Sequence, residues 1–133
     1  MVKRRWNISL FRIKNIGAFT KILQSEPQQL VRATDLTVDT ILDAPELFEI
    51  YPLLRDIKVT FVNDYTGFRG GFGTNGIILN TRYIDKVNTE KGLKGVLVHE
   101  IQHAIQALEA AQSEDIKDKK DLVAIVENFR KVY

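Results

Sequence analysis

An α+β fold is predicted, in which a small antiparallel or mixed sheet packs against one long helix and a C-terminal helix. Three observations carry it. The run LKGVLVHEIQHAIQALEAA, Leu93–Ala111, has no proline and no glycine after Gly95. Its apolar residues Leu93, Val96, Leu97, Ile101, Ala104, Ile105 and Leu108 recur at helical spacing and mark a core-facing helix. Residues 57–62 (IKVTFV) alternate as a half-buried strand does, and Gly76–Asn80 (GIILN) reads as a second strand. Residues 121–133 (DLVAIVENFRKVY) carry a last helical pattern behind a polar connector at 112–120.

The remaining elements follow in order. At 133 residues the chain is most simply one domain, 1–133, long enough to bury a core. Residues 1–14 are either a basic arm or the carrier of a first strand at 6–13 (WNISLFRI). Residues 16–24 look like a short helix ending before Pro27, and residues 37–42 like a helical turn. Pro45 suits the first position of a helix through Tyr51, which Pro52 should stop. The stretch GFRGGFG at 67–73 lacks the Gly-Lys-Ser/Thr ending of a phosphate loop, so a hairpin bend with aromatics on a strand is the better account. Thr89 is a good N-cap for the long helix. No internal repeat or linker is evident.

Composition narrows the function classes. A net charge of +2 is too small to argue for a nucleic-acid partner. Lys3-Arg4-Arg5 beside Trp6 is better read as a solvated terminus than as a nucleic-acid arm. There is no cysteine, which excludes disulfides, thiolate ligands and a cysteine nucleophile. No apolar run reaches the length of a membrane span and no apolar signal segment opens the chain, so no membrane partner and a cytoplasmic location are expected.

The chemistry is concentrated in one pentapeptide. Both histidines of the chain lie in His99-Glu100-Ile101-Gln102-His103. At roughly 100° per residue, positions four apart stand about 40° from each other, so both imidazoles leave one face of the helix. Two neutral nitrogens at that spacing can hold Zn2+, and Glu100 is placed to take a proton from the activated water. An exposed amphipathic helix could carry the same spacing by chance. On a helix this strongly core-facing, however, His99 and Glu100 would be costly without partners. The pattern is that of a zinc-dependent hydrolase acting on a peptide or protein substrate, with Glu100 catalytic and His99 and His103 as metal ligands.

A catalytic zinc takes three protein ligands and an open position. With both histidines used, the third must be a carboxylate. Glu109 is six residues past His103, and on a continuous helix about 600° of rotation turns it about 240° away from the metal. Glu127, on a separate helix whose Leu122, Val123, Ile125, Val126 and Phe129 are apolar, is the favoured third ligand, with Glu109 the alternative and Asp118 and Asp121 lesser ones. Tyr65, Tyr83 and Tyr133 are candidate oxyanion donors, though each is more simply a half-buried aromatic. Gln102 and Gln106 could order contacts around the ligands or simply lie on the helix surface.

Residues 40–59 (TILDAPELFEIYPLLRDIKV) together with residues 97–106 (LVHEIQHAIQ) resemble the zincin-like members of the large polyvalent protein-associated domains, found in multi-domain proteins of phages and conjugative elements. The resemblance covers about residues 36–111. It implies a compact zincin-like, metallopeptidase-like fold, a histidine pair as ligands with the intervening glutamate as base, and a phage or mobile-element origin. It also implies that the strand before the metal helix runs along the cleft as an edge, where an extended substrate can pair; residues 76–80 are the natural candidate. Two features depart from the family pattern. Ala110-Ala111 stand where the family continues with Gly-Phe, and only Val126-Glu127-Asn128-Phe129-Arg130 loosely matches its later Gly-Glu-x-Glu-Ala-Arg stretch. Those departures leave a second function class open, a catalytically weak or inactive zincin-scaffold binding module acting on a host factor.

Overall fold

The computed structural model describes residues 11–24, 36–63, 65, 67–84, 86–87 and 92–111. Within them the chain is α+β. Strand β1 (Arg12–Ile13) and helix α1 (Ile16–Leu23) open the described part. They are followed by β2 (Leu36–Thr37), α2 (Val38–Ile41), β3 (Leu42–Asp43) and α3 (Pro45–Ile50). A 3-10 turn over Pro52–Asp56 leads to β4 (Lys58–Val62), β5 (Gly70–Gly73) and β6 (Gly76–Asn80). A second 3-10 turn, Thr81–Tyr83, precedes the long helix α4 (Leu93–Ala111).

Local chemistry accounts for these boundaries. Thr37 and Thr40 close a capping box at the start of α2, with the Thr37 amide donating to the Thr40 hydroxyl at 3.1 Å. Pro45 occupies the first turn of α3, where its missing N–H costs nothing. Pro52 does end α3, and its fixed φ then starts the 3-10 turn. Of the expected first strand, residues 12 and 13 pair antiparallel with Asp43 and Leu42; residues 6–10 lie outside the described residues.

The sheet is mixed, in the order β2-β4-β6-β5. β4 and β6 run parallel, with Val59 opposite Ile77 and Phe61 opposite Leu79, while β2 pairs antiparallel with β4 and β5 with β6. Within 67–73 the residues Gly70–Gly73 form one arm of a hairpin with β6, whose turn falls just beyond them between Gly73 and Gly76, and the stretch is not a phosphate loop. The expectation that residues 76–80 form the edge is corrected. β6 is paired on both sides, and among the described residues β5 is the terminal strand of the sheet. The physical reason lies in the side chains. Ile77 and Leu79 are fully buried and suit an interior strand, whereas the glycines of β5 contribute little packing and are tolerated at the margin.

The core lies between this sheet and α4. Val59, Phe61, Ile77 and Leu79 point to one side of the sheet and are buried, as are Leu93, Leu97, Ile101 and Ala104 of α4, which packs on β5 and β6. Each such Leu, Ile or Phe contributes about 1.5–3 kcal/mol by leaving water. α1 is fastened through Phe19, whose ring lies 6.0 Å from that of Phe61. The stretch 40–59 puts much of its apolar content into the core. Ile41, Leu42, Leu47, Phe48, Leu54, Ile57 and Val59 are all buried, so its recurring apolar pattern is a packing pattern. Among the described residues no helix is long and apolar enough to cross a membrane. The expected C-terminal helix at 121–133 and the basic start at Lys3-Arg4-Arg5 lie outside the described residues.

Candidate metal centre

Helix α4 is held at its start by the preceding loop. The Leu93 amide donates to the Lys86 carbonyl at 2.8 Å and the Lys94 amide to the Val87 carbonyl at 3.0 Å, satisfying two of the N–H groups that every helix leaves free. The helix begins at Leu93, with Gly92 in a bend; Thr89, the expected N-cap, lies outside the described residues. Every apolar position expected to face the core does so, and Val98 and Ala107 are buried as well. What remains open is a narrow stripe on which His99, Gln102 and Gln106 are exposed and His103 is half-buried.

His99 is therefore not a core residue, as its apolar neighbours suggested, but stands on the open stripe. Its Nε2 lies 3.3 Å from Nε2 of His103, with the two rings edge to face. That spacing tests the fit to zinc. Two nitrogens each about 2.0–2.1 Å from a tetrahedral zinc stand about 3.3 Å apart. With both rings protonated on Nδ1, each Nε2 keeps a lone pair that can bind a metal. The pair is spaced as two of the three protein ligands that a catalytic zinc takes.

Glu100 is set differently. It is only 5% exposed, on the flank of α4 that meets β5, and its Oε2 lies close to the backbone of Gly70. Burial pushes its carboxyl pKa above the ordinary value, while the nearby His103 and His99 oppose that rise. A desolvated carboxylate beside two imidazoles is a stronger base than one in water, which is what proton abstraction calls for.

Among the described residues no third carboxylate or histidine joins His99 and His103. α4 runs unbroken through Ala111, so Glu109 takes the averted position that helical phase assigns it. There it accepts a hydrogen bond of 2.6 Å from the Tyr51 hydroxyl. Glu127, Asp118 and Asp121 lie outside the described residues. Of the tyrosines singled out from the sequence, Tyr65 is 82% exposed with its ring stacked 3.5 Å under the Arg82 guanidinium, and Tyr83 is exposed on the turn after β6. Tyr133 lies outside the described residues.

Two residues that bear on α4 were not singled out from the sequence. Tyr51 sits in the Tyr-Pro pair of the 40–59 stretch, and that pair was the available signal. Gly70 was visible only as one glycine among several. The Tyr51–Glu109 bond ties the end of α3 to the far turn of α4. Tyr51→Phe is expected to lower stability by about 1 kcal/mol, a charge-assisted bond discounted for partial solvation, without changing metal content. Urea unfolding and elemental analysis of the variant check both halves. No family model matches the chain, and no curated protein or solved structure does.

Proposed function

We propose that this chain is a zinc-dependent, metallopeptidase-like hydrolase with a zincin-like site, related to the polyvalent protein-associated domains of phages and mobile elements. The observation that carries the proposal is the convergence of the His99 and His103 Nε2 atoms at 3.3 Å with the buried Glu100 carboxylate beside them. His99 and His103 would hold the metal, with Glu127 as the proposed third ligand. When bound, zinc supplies Lewis acidity toward a peptide carbonyl and toward water. Glu100 takes a proton from the attacking water at its carboxylate and passes it to the leaving amine. β5, the terminal strand of the described sheet, lies against Glu100 and is the strand along which an extended peptide substrate would pair.

Protein purified without chelator is expected to contain near-stoichiometric zinc by elemental analysis, reduced to background in His103→Ala. A folded wild-type protein free of zinc would defeat the proposal. The alternative, a zincin scaffold that acts by binding a host factor, draws support from the loose match of Val126-Glu127-Asn128-Phe129-Arg130 to the family's later Gly-Glu-x-Glu-Ala-Arg stretch. It is separated by biological assay of Glu100→Gln, which keeps full effect only if hydrolysis is not the function.

A further inference from the structure

At Gly70, strand β5 comes against α4 more closely than any side chain would allow. A Cβ built there falls 2.8 Å from Val96 Cγ1, 3.1 Å from the Ile78 carbonyl oxygen and 3.3 Å from Glu100 Oε2. None of the three can easily withdraw. The Ile78 carbonyl belongs to the neighbouring strand of the sheet, Val96 is buried and stiff at χ1, and Glu100 is itself buried. Backbone freedom does not explain the glycine, because Gly70 is not among the positive-φ residues. Nor is the whole strand crowded, since a Cβ on neighbouring Gly71 would meet nothing within 4 Å. The glycine at 70 is required on the helix-facing side alone, where the carboxylate sits.

We propose that Gly70 is a positioning residue for Glu100: the side-chain-free step in β5 is the recess that seats the Glu100 carboxylate beside the histidine pair. Its catalytic consequence rests on the hydrolase proposed above; the packing does not. A methyl group at 70 forces Val96 and Glu100 to give way by tenths of an ångström or more. Misplacement of a reacting group by about 1 Å can cost on the order of 10²-fold in rate. Gly70→Ala is accordingly expected to lower kcat by about 10-fold, with KM nearly unchanged and zinc content retained.

The test is a double-mutant cycle on the full chain, read by thermal unfolding in chelator, with Gly70→Ala, Glu100→Ala and the two combined. If the carboxylate occupies the recess, the combined variant melts higher than the sum of the single shifts, because removing the carboxylate takes away one of the three contacts that the methyl would meet. Should Gly70→Ala alone fail to fold, recovery of folding in the combined variant is the same result. A second arm uses Gly70→Ala with Val96→Ala, which relieves the contact with Val96 only. It should regain stability while kcat stays low. Additive melting shifts, no recovery of folding in either pair, or full recovery of kcat in the Val96 pair would overturn the proposal. A wild type that binds no zinc and hydrolyses no peptide overturns the hydrolase instead, and the melting cycle still decides the recess.

Discussion

Glu100→Gln is expected to lower peptide hydrolysis by about 10²–10⁴-fold, the usual worth of a positioned general base, while zinc stays bound. The amide keeps the shape of the carboxylate, so the seat against Gly70 is preserved, but it cannot accept a proton. Because the side chain is 5% exposed, bulk water has little access to stand in for it. The same substitution should stabilise the metal-free chain at neutral pH. Burial raises the folded-state pKa of Glu100, with His103 and His99 opposing. A carboxyl group whose folded pKa is raised favours the folded state below its unfolded pKa, and that contribution is lost as pH rises through the folded value. Glutamine removes the dependence. Melting temperatures in chelator should therefore separate in favour of Gln as pH rises from mildly acidic to neutral. A wild type that gains on the variant over that interval would show that the carboxylate is not held in a desolvating site.

Gly76→Ala is expected to cost about 3 kcal/mol or more, a large share of the roughly 5–15 kcal/mol that holds a domain of this kind folded. Gly76 closes the β5–β6 hairpin with φ at +94°, a conformation that side chains rarely adopt. An added Cβ would also run into the Lys58 carbonyl on the parallel neighbour β4. Both penalties fall on the hairpin that brings β5 to α4. The melting temperature should drop by roughly 10 °C or more, with loss of any metal site. Gly71→Ala on the same hairpin, where nothing stands within 4 Å of the new methyl, is the matched control and should cost far less. Equal losses from the two would assign the effect to glycine content and not to geometry.

Much of the fold was legible because its signals are local. α4 announces itself through apolar spacing, α3 through Pro45, and β4 through alternation in residues 58–62, and each depends on neighbours within one or two turns of chain. The strand order was not legible. Residues 76–80 look like a strand from any viewpoint, but whether that strand is an edge depends on which others pair with it, and pairing joins residues far apart in the chain. Here β4 meets β6 in parallel while β5, between them in sequence, is displaced to the margin. Among the described residues the edge beside α4 is therefore the glycine-rich β5.

The candidate site divides along the same line. Helical periodicity by itself put His99 and His103 on one face and turned Glu109 away, since both follow from a fixed rotation per residue along a single helix. The apolar residues on either side of His99 in the chain made it seem to belong to the core, yet at about 100° per residue it stands roughly 200° around the helix from Leu97, opposite the core stripe. Only the tertiary structure decided that Glu100 is buried against Gly70 and that Glu109 is engaged by Tyr51. Burial, and with it the basicity of Glu100, is a property of surfaces brought together across the chain, and one residue's identity does not contain it.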